Sequence, residues 1–172
     1  MSDFERLYGF AERLGRHFSK MRRAVEVCTV LNYSFDLSED EEKKLNAQWQ
    51  GIAGRAAREG KEIIQVQLCE TPLDDEMRGY LTETAAYFRT FGEKFYVISV
   101  ADFDRIGRGW DVTDQFWAID GKAAIVSSFA EDGELLSDEE VTDAKLLREI
   151  VELGERVLSI ALPPAEFIRK YD

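Results

Sequence analysis

One histidine, two cysteines and three prolines are all that the 172 residues hold of those types, and each scarcity closes a route. A Ser/His/Asp triad would have to recruit His17 from the first helix, where it flanks an apolar stripe and reads as a partly covered structural residue. Cys28 and Cys69 each lie in a short apolar segment with no CxxC or Cys/His spacing nearby, so buried free thiols are expected in place of disulfides or zinc. No P-loop and no GxGxxG occurs, and Gly107, Arg108 and Gly109 form too short a stretch to stand in for either. No apolar run approaches the roughly 18 residues of a spanning helix, and the N-terminus lacks a secretory pattern. These absences predict a cytoplasmic chain with no membrane contact. The acidic run of Glu131, Asp132, Glu134, Asp138, Glu139, Glu140 and Asp143 has no EF-hand spacing. It reads as a solvated face, and neither metal nor cofactor is expected.

Charge is abundant and uneven. Asp and Glu total 34 against 22 Lys and Arg, a net of −12, which argues against the acidic body gripping a phosphate backbone directly. The first 23 residues run the other way, with six cations against three carboxylates, so the remainder carries −15. Within them Phe4, Leu7, Tyr8, Ala11, Leu14, Phe18 and Met21 recur at helical spacing while Arg6, Arg13, Arg16 and Lys20 fall opposite. The sequence predicts a basic amphipathic helix over 1–23 followed by one α/β domain over 24–172.

That domain alternates. AVEVCTVL over 24–31 is short and β-branched, a strand pattern. Ser38-x-x-Glu41 is a capping box opening a helix through Leu45 and Trp49, and Gly60 ends the small-residue stretch that follows. IIQVQLC over 63–69 reads as a second strand, 74–91 as a helix with Gly92 behind it, and 94–100 as a third strand. The order favours a mixed, mostly parallel sheet flanked by helices. Residues 107–113 read as a loop, Asp120-Gly121 as a hairpin turn between strands 116–119 and 123–129, and 145–162 as a last helix stopped by Pro163 and Pro164.

The hairpin VTDQFWAIDGKAAIVSSF over 112–129 resembles the phospholipase D superfamily signature, His-x-Lys-x4-Asp-x6-Gly-Ser. With Asp120 on the pattern's aspartate, Thr113 stands for the histidine, Gln115 for the lysine, and Ser127 and Ser128 for the Gly-Ser pair. Threonine cannot form a phosphohistidine and glutamine has no charge to hold a phosphate. The resemblance therefore implies half of a phospholipase D-like fold with its catalytic residues replaced, and a homodimer. The chain from about 24 to 168 also resembles an uncharacterised actinobacterial family of small proteins encoded beside helix-turn-helix regulators. The segments EVCTVLNYSF, IIQVQLCETPLDDEMRGYL, FWAIDGKAAIVSSFAEDG and ALPPAEFI carry that likeness.

Three functions follow as expectations. The first is a non-catalytic binding or regulatory module acting with a transcription regulator or a toxin-antitoxin-like partner, its partner surface including Arg13, Arg16, Lys20 and Trp110. The second is a ligand sensor whose pocket uses Thr113, Gln115, Trp117, Asp120, Lys122, Ser127 and Ser128, opening between Trp117 and the 107–113 loop. The third is a phosphodiesterase or transferase with rearranged residues drawing on Asp120, Lys122 and Ser128. The apolar stripe of the first helix is expected to dock and its basic face to stay available.

Overall fold

The computed structural model of the chain describes residues 1–29, 35–111 and 114–172. Helix α1 (Asp3–Phe18) opens on a reciprocal capping box between Ser2 and Glu5, and α2 (Glu39–Arg58) on the expected one between Ser38 and Glu41. Strand β1 (Arg23–Cys28) precedes α2, and β2 (Glu62–Cys69), α3 (Asp75–Thr90) and β3 (Lys94–Ser99) follow it. Asp74 caps α3 by accepting from the Met77 N–H. Behind α3, Gly92 sits at φ +78°, and a Cβ there would lie 2.7 Å from that of Ala57. Only glycine fits both the left-handed backbone and the close approach to α2.

The chain continues through α4 (Val100–Gly107), the hairpin β4 (Asp114–Ile119) and β5 (Ala123–Phe129), β6 (Leu135–Glu140), α5 (Ala144–Ile160) and α6 (Pro164–Lys170). The six strands form one open sheet in the order β3-β2-β1-β4-β5-β6. The mixed sheet flanked by helices is as expected, but "mostly parallel" is corrected. β1 pairs with β2 and β2 with β3 in parallel, whereas the β1/β4, β4/β5 and β5/β6 pairs are all antiparallel. The cause is β4, which enters beside β1 in the opposite direction. The two hairpins beyond it then keep alternating.

Three further elements escape the sequence pattern. β6 lies in the acidic run read above as a solvated face, because an edge strand needs only one side of its pleat covered. α4 follows β3 without a turn, started by the Ser99 hydroxyl accepting from the Asp102 N–H, and it buries Phe103. α6 begins on Pro164, where a proline at the first helical position costs no hydrogen bond.

Side chains on the two sheet faces build separate clusters. Val25, Val27, Ile64, Val66 and Phe116 pack with Phe103 of α4 and Ile150, Leu153 and Val157 of α5. On the other face Ala24, Ile63, Trp117, Ile119 and Ile125 pack with Leu14 and Phe18 of α1 and Ala53 and Ala56 of α2. α1 is therefore docked by its apolar stripe over β4 and β5. Cys28 and Cys69 are both buried, and no helix among the described residues is long and apolar enough to cross a membrane.

Candidate functional site

The hairpin between β4 and β5 turns through Asp120 at φ +52° and Gly121 at φ +65°, two consecutive positive values that match the right-handed twist of the strands. The turn does more than reverse the chain. The Asp120 carboxylate accepts from the Arg22 N–H through both oxygens at 3.0 and 3.1 Å and from the Arg23 N–H at 2.9 Å. Its own N–H donates to the Arg23 carbonyl at 2.9 Å. Asp120 thus clasps the start of β1 to the hairpin. Asp120→Ala is expected to lose the clasp and to strain a left-handed backbone position, costing about 1–3 kcal/mol. Asp120→Asn tolerates that conformation and keeps an acceptor, so urea denaturation should place it between the wild type and the alanine variant.

The last turns of α1 stand over this clasp and leave a groove of about 430 Å³ between helix and hairpin. Its walls bring together Arg13, Arg16, His17 and Lys20 of α1, Asp120 and Lys122 of the hairpin, and Glu140 of β6. Two of the α1 side chains are already committed. Arg13 forms an ion pair with Asp138, whose side chain is only 10% exposed, and His17 Nε2 lies 2.7 Å from Glu140 Oε1. The basic face is therefore available only in part. Alternation along β6 puts Asp138 and Glu140 on the α1 side of the sheet, where they engage Arg13 and His17 and hold the helix in place. Arg16, Lys20 and Lys122 remain, all exposed and without an ion pair among the described residues.

The other sequence-predicted residues are dispersed. Trp117 is 3% exposed, its ring centroid 5.4 Å from that of Phe18 and 5.9 Å from that of Trp49. Trp110 packs on the opposite face, edge-on to Phe116 at 5.3 Å, with its indole N–H donating to the Asp114 carbonyl at 2.7 Å. The sheet separates the two tryptophans, so the pocket expected between Trp117 and the loop after Gly107 is not formed by them. Gln115 and Ser127 are buried partners across β4 and β5, and Ser128 pairs with Asp114 at the end of the hairpin away from the turn. Five strand steps, roughly 17 Å, separate Ser128 from the Asp120 end. Thr113 lies outside the described residues.

Sequence reasoning missed two buried carboxyls. Glu26 of β1 sits inside an otherwise apolar strand, which is the signal that could have flagged it. Burial, reinforced by the charge of Glu93, pushes its carboxyl up to about 8. Glu93 is also raised by burial, opposed by hydrogen bonds from the Gln65 amide at 2.8 Å and the Trp49 indole at 3.3 Å. Burial likewise raises the Cys69 thiol to about 11, which keeps it protonated and unreactive at neutral pH. Among the described residues no group of three or more His, Cys, Asp or Glu could hold a metal ion.

No similar protein was found among curated sequences. Residues 22–169 match a family model described as a domain of unknown function (DUF6879), a span that takes in the whole sheet and leaves α1 outside it, and the chain belongs to that family.

Proposed function

We propose that this protein is a binding module without catalytic chemistry of its own, which takes an acidic segment of a partner protein along the groove between α1 and the β4–β5 turn. One observation carries the reading. Arg16, Lys20 and Lys122 converge on the groove with no ion pair among the described residues, in a molecule of net charge −12. A carboxylate-rich segment would find in the groove cations that its own surface acids have not neutralised, and would be steered there by the field. The groove's remaining charges already have structural partners. Asp120 is engaged by the β1 backbone, which supports the reading of the hairpin as a phospholipase D-like frame put to non-catalytic use. The resemblance adds a helix-turn-helix regulator as the partner and a homodimer as the assembly, and the acidic body adds a toxin-antitoxin-like component as the other candidate partner. Two buried thiols fit the reducing cytoplasm.

The test is fluorescence anisotropy with a labelled peptide, acetyl-Glu-Asp-Glu-Phe-Asp-Glu-amide. Saturable binding that weakens steeply with salt is expected, reduced at least about ten-fold in the triple variant Arg16→Glu, Lys20→Glu, Lys122→Glu while its thermal midpoint stays near that of wild type. Equal affinity in the two proteins would remove the groove from the account.

A second reading rests on the same walls. The groove gathers the sole histidine, held by Glu140, together with Lys122 and Arg16, a base and cations that could act on a phosphodiester. Its signature would be turnover of bis-p-nitrophenyl phosphate that is lost in His17→Gln. The non-catalytic reading expects no turnover in either protein.

A further inference from the structure

The sheet face that carries α1 and α2 changes character along its strands. Ala24, Ile63, Ile119 and Ile125 are apolar and pack with the two helices, but two residues further along β1 and β2 Glu26 stands beside Gln65, and two further again comes Gln67. α3 covers the same face beyond them, with Leu81 packed against Cys69 and Val97. Glu26 is 9% exposed, Gln67 8%, and Glu93, from the turn between α3 and β3, 6%. Buried donors and acceptors are normally matched, and here they are not. The Gln67 amide spends its N–H groups on the Cys28 and Leu68 carbonyls at 3.4 and 3.0 Å. The Gln65 amide and the Trp49 indole donate to the two oxygens of Glu93. Among the described residues no donor reaches the Glu26 carboxyl or the side-chain carbonyl of either glutamine. Together these oxygens form an acceptor-rich floor.

We infer that this floor binds a small molecule carrying a guanidinium group, with the Glu26 carboxylate accepting two of its N–H groups and the side-chain oxygens of Gln65 and Gln67 accepting others. The floor lacks donors, so its ligand must bring them, whereas an anion or an apolar body would leave the same oxygens unmet. A metal ion fits poorly, because no group of three or more His, Cys, Asp or Glu gathers among the described residues. The planar guanidinium fork matches a carboxylate through two parallel bonds, keeps N–H groups for neighbouring carbonyls, and is weakly enough hydrated to be buried. Glu26 and Gln65 lie on paired strands, about 4.8 Å apart by sheet geometry, within reach of one such fork. Trp49 and Tyr80 add aromatic rings that attract a cation. Tyr80 is 47% exposed, and its hydroxyl is raised by burial and by the charges of Cys28 and Glu26. Gln65, half-buried, leaves a way in from solvent. Burial keeps Glu26 protonated at neutral pH, so cation binding has a proton balance. The carboxyl O–H breaks, its proton passes to the buffer, and the carboxylate that keeps the electron pair meets the guanidinium. The site shares no residue with the basic groove under α1 and does not rest on it.

The experiment is isothermal titration calorimetry of the full chain with ethylguanidinium chloride at about pH 7, in phosphate and in Tris. Saturable binding with Kd below about 1 mM is expected, with heats that differ between the buffers by the release of about one proton per cation bound. Glu26→Gln keeps the shape and removes the ionisable group, and is expected to weaken binding about ten-fold or more and to abolish the proton release. Gln65→Leu leaves Glu26 in place and should weaken binding about three-fold or more with the proton release retained, which tests the site even if Glu26→Gln folds poorly. Tetramethylammonium, equally charged but without N–H groups, should not compete, which separates this site from general attraction to a chain of net charge −12. The triple variant Arg16→Glu, Lys20→Glu, Lys122→Glu should bind the cation at least as well as wild type. Absence of saturable binding, an affinity unchanged in either single variant, binding without proton release, or competition by tetramethylammonium would overturn the inference.

Discussion

Phe18→Ala is expected to lower the unfolding free energy by about 3–5 kcal/mol, the scale for deleting a buried aromatic ring whose cavity cannot fully collapse. Phe18 is 2% exposed, and its ring meets Trp49 of α2 at 5.9 Å and Trp117 of β4 at 5.4 Å. These three rings join α1, α2 and the sheet at one point. With two tryptophan rings packed against it, the loss is expected near the upper end of that scale. Urea denaturation followed by tryptophan fluorescence and by far-ultraviolet circular dichroism should show one coincident transition at a lower midpoint in the variant. That outcome would make the basic helix part of the same cooperative unit as the sheet. An appended arm would behave otherwise, with a change within about 0.5 kcal/mol and the main transition left in place.

Glu26→Gln is expected to stabilise the protein at alkaline pH and to do little in acid. The Glu26 carboxyl is raised from 4.5 to about 8 in the folded chain, so between these values the native state holds a proton that the unfolded chain has released. Stability from this group is fully present below pH 4.5 and falls by up to about 1.4 kcal/mol per pH unit as pH rises toward 8. Above 8 the fold must carry an ionised carboxylate against the charge of Glu93. Glutamine fills the same space without that ionisation. The difference in unfolding free energy between variant and wild type should therefore grow from near zero at pH 4 to a few kcal/mol at pH 8.5. A difference that is flat with pH would mean that Glu26 ionises freely in the fold.

Much of the architecture is legible in local patterns because local chemistry specifies it. The Ser38-x-x-Glu41 box, the Asp120-Gly121 turn and the alternation through β1, β2 and β3 each have a short-range physical cause. The direction of β4 has none. Whether a strand joins β1 parallel or antiparallel is decided by how the chain returns through α4 and beyond, and no hydrophobic period records that path. β6 was hidden for a different reason. Its exposed side carries Glu139 and its α1 side carries Asp138 and Glu140, which are met by Arg13 and His17 about 120 residues away in sequence. The same blindness affected the candidate site. The basic stripe of α1 is plain in the sequence, but the division into engaged side chains, Arg13 and His17, and cations without an ion pair among the described residues, Arg16 and Lys20, exists only once β6 lies alongside. Lys122 joins the free set because the clasp by Asp120 brings the hairpin turn under the last turn of α1. Trp117, a pocket residue only in the ligand-sensor reading, holds α1 and α2 to the sheet, as a large aromatic on a strand most readily does.

The central claim is that the groove of unpaired cations receives an acidic segment, and a ¹H–¹⁵N correlation titration of the labelled full chain with acetyl-Glu-Asp-Glu-Phe-Asp-Glu-amide tests it most directly. The account predicts saturating shifts at Arg16, Lys20, Asp120, Gly121 and Lys122, with the β3 edge and α6 unmoved and the midpoint rising as salt is added. Resonances that stay still at Arg16, Lys20 and Lys122 while the peptide perturbs another surface, or that fail to move at all, would contradict it.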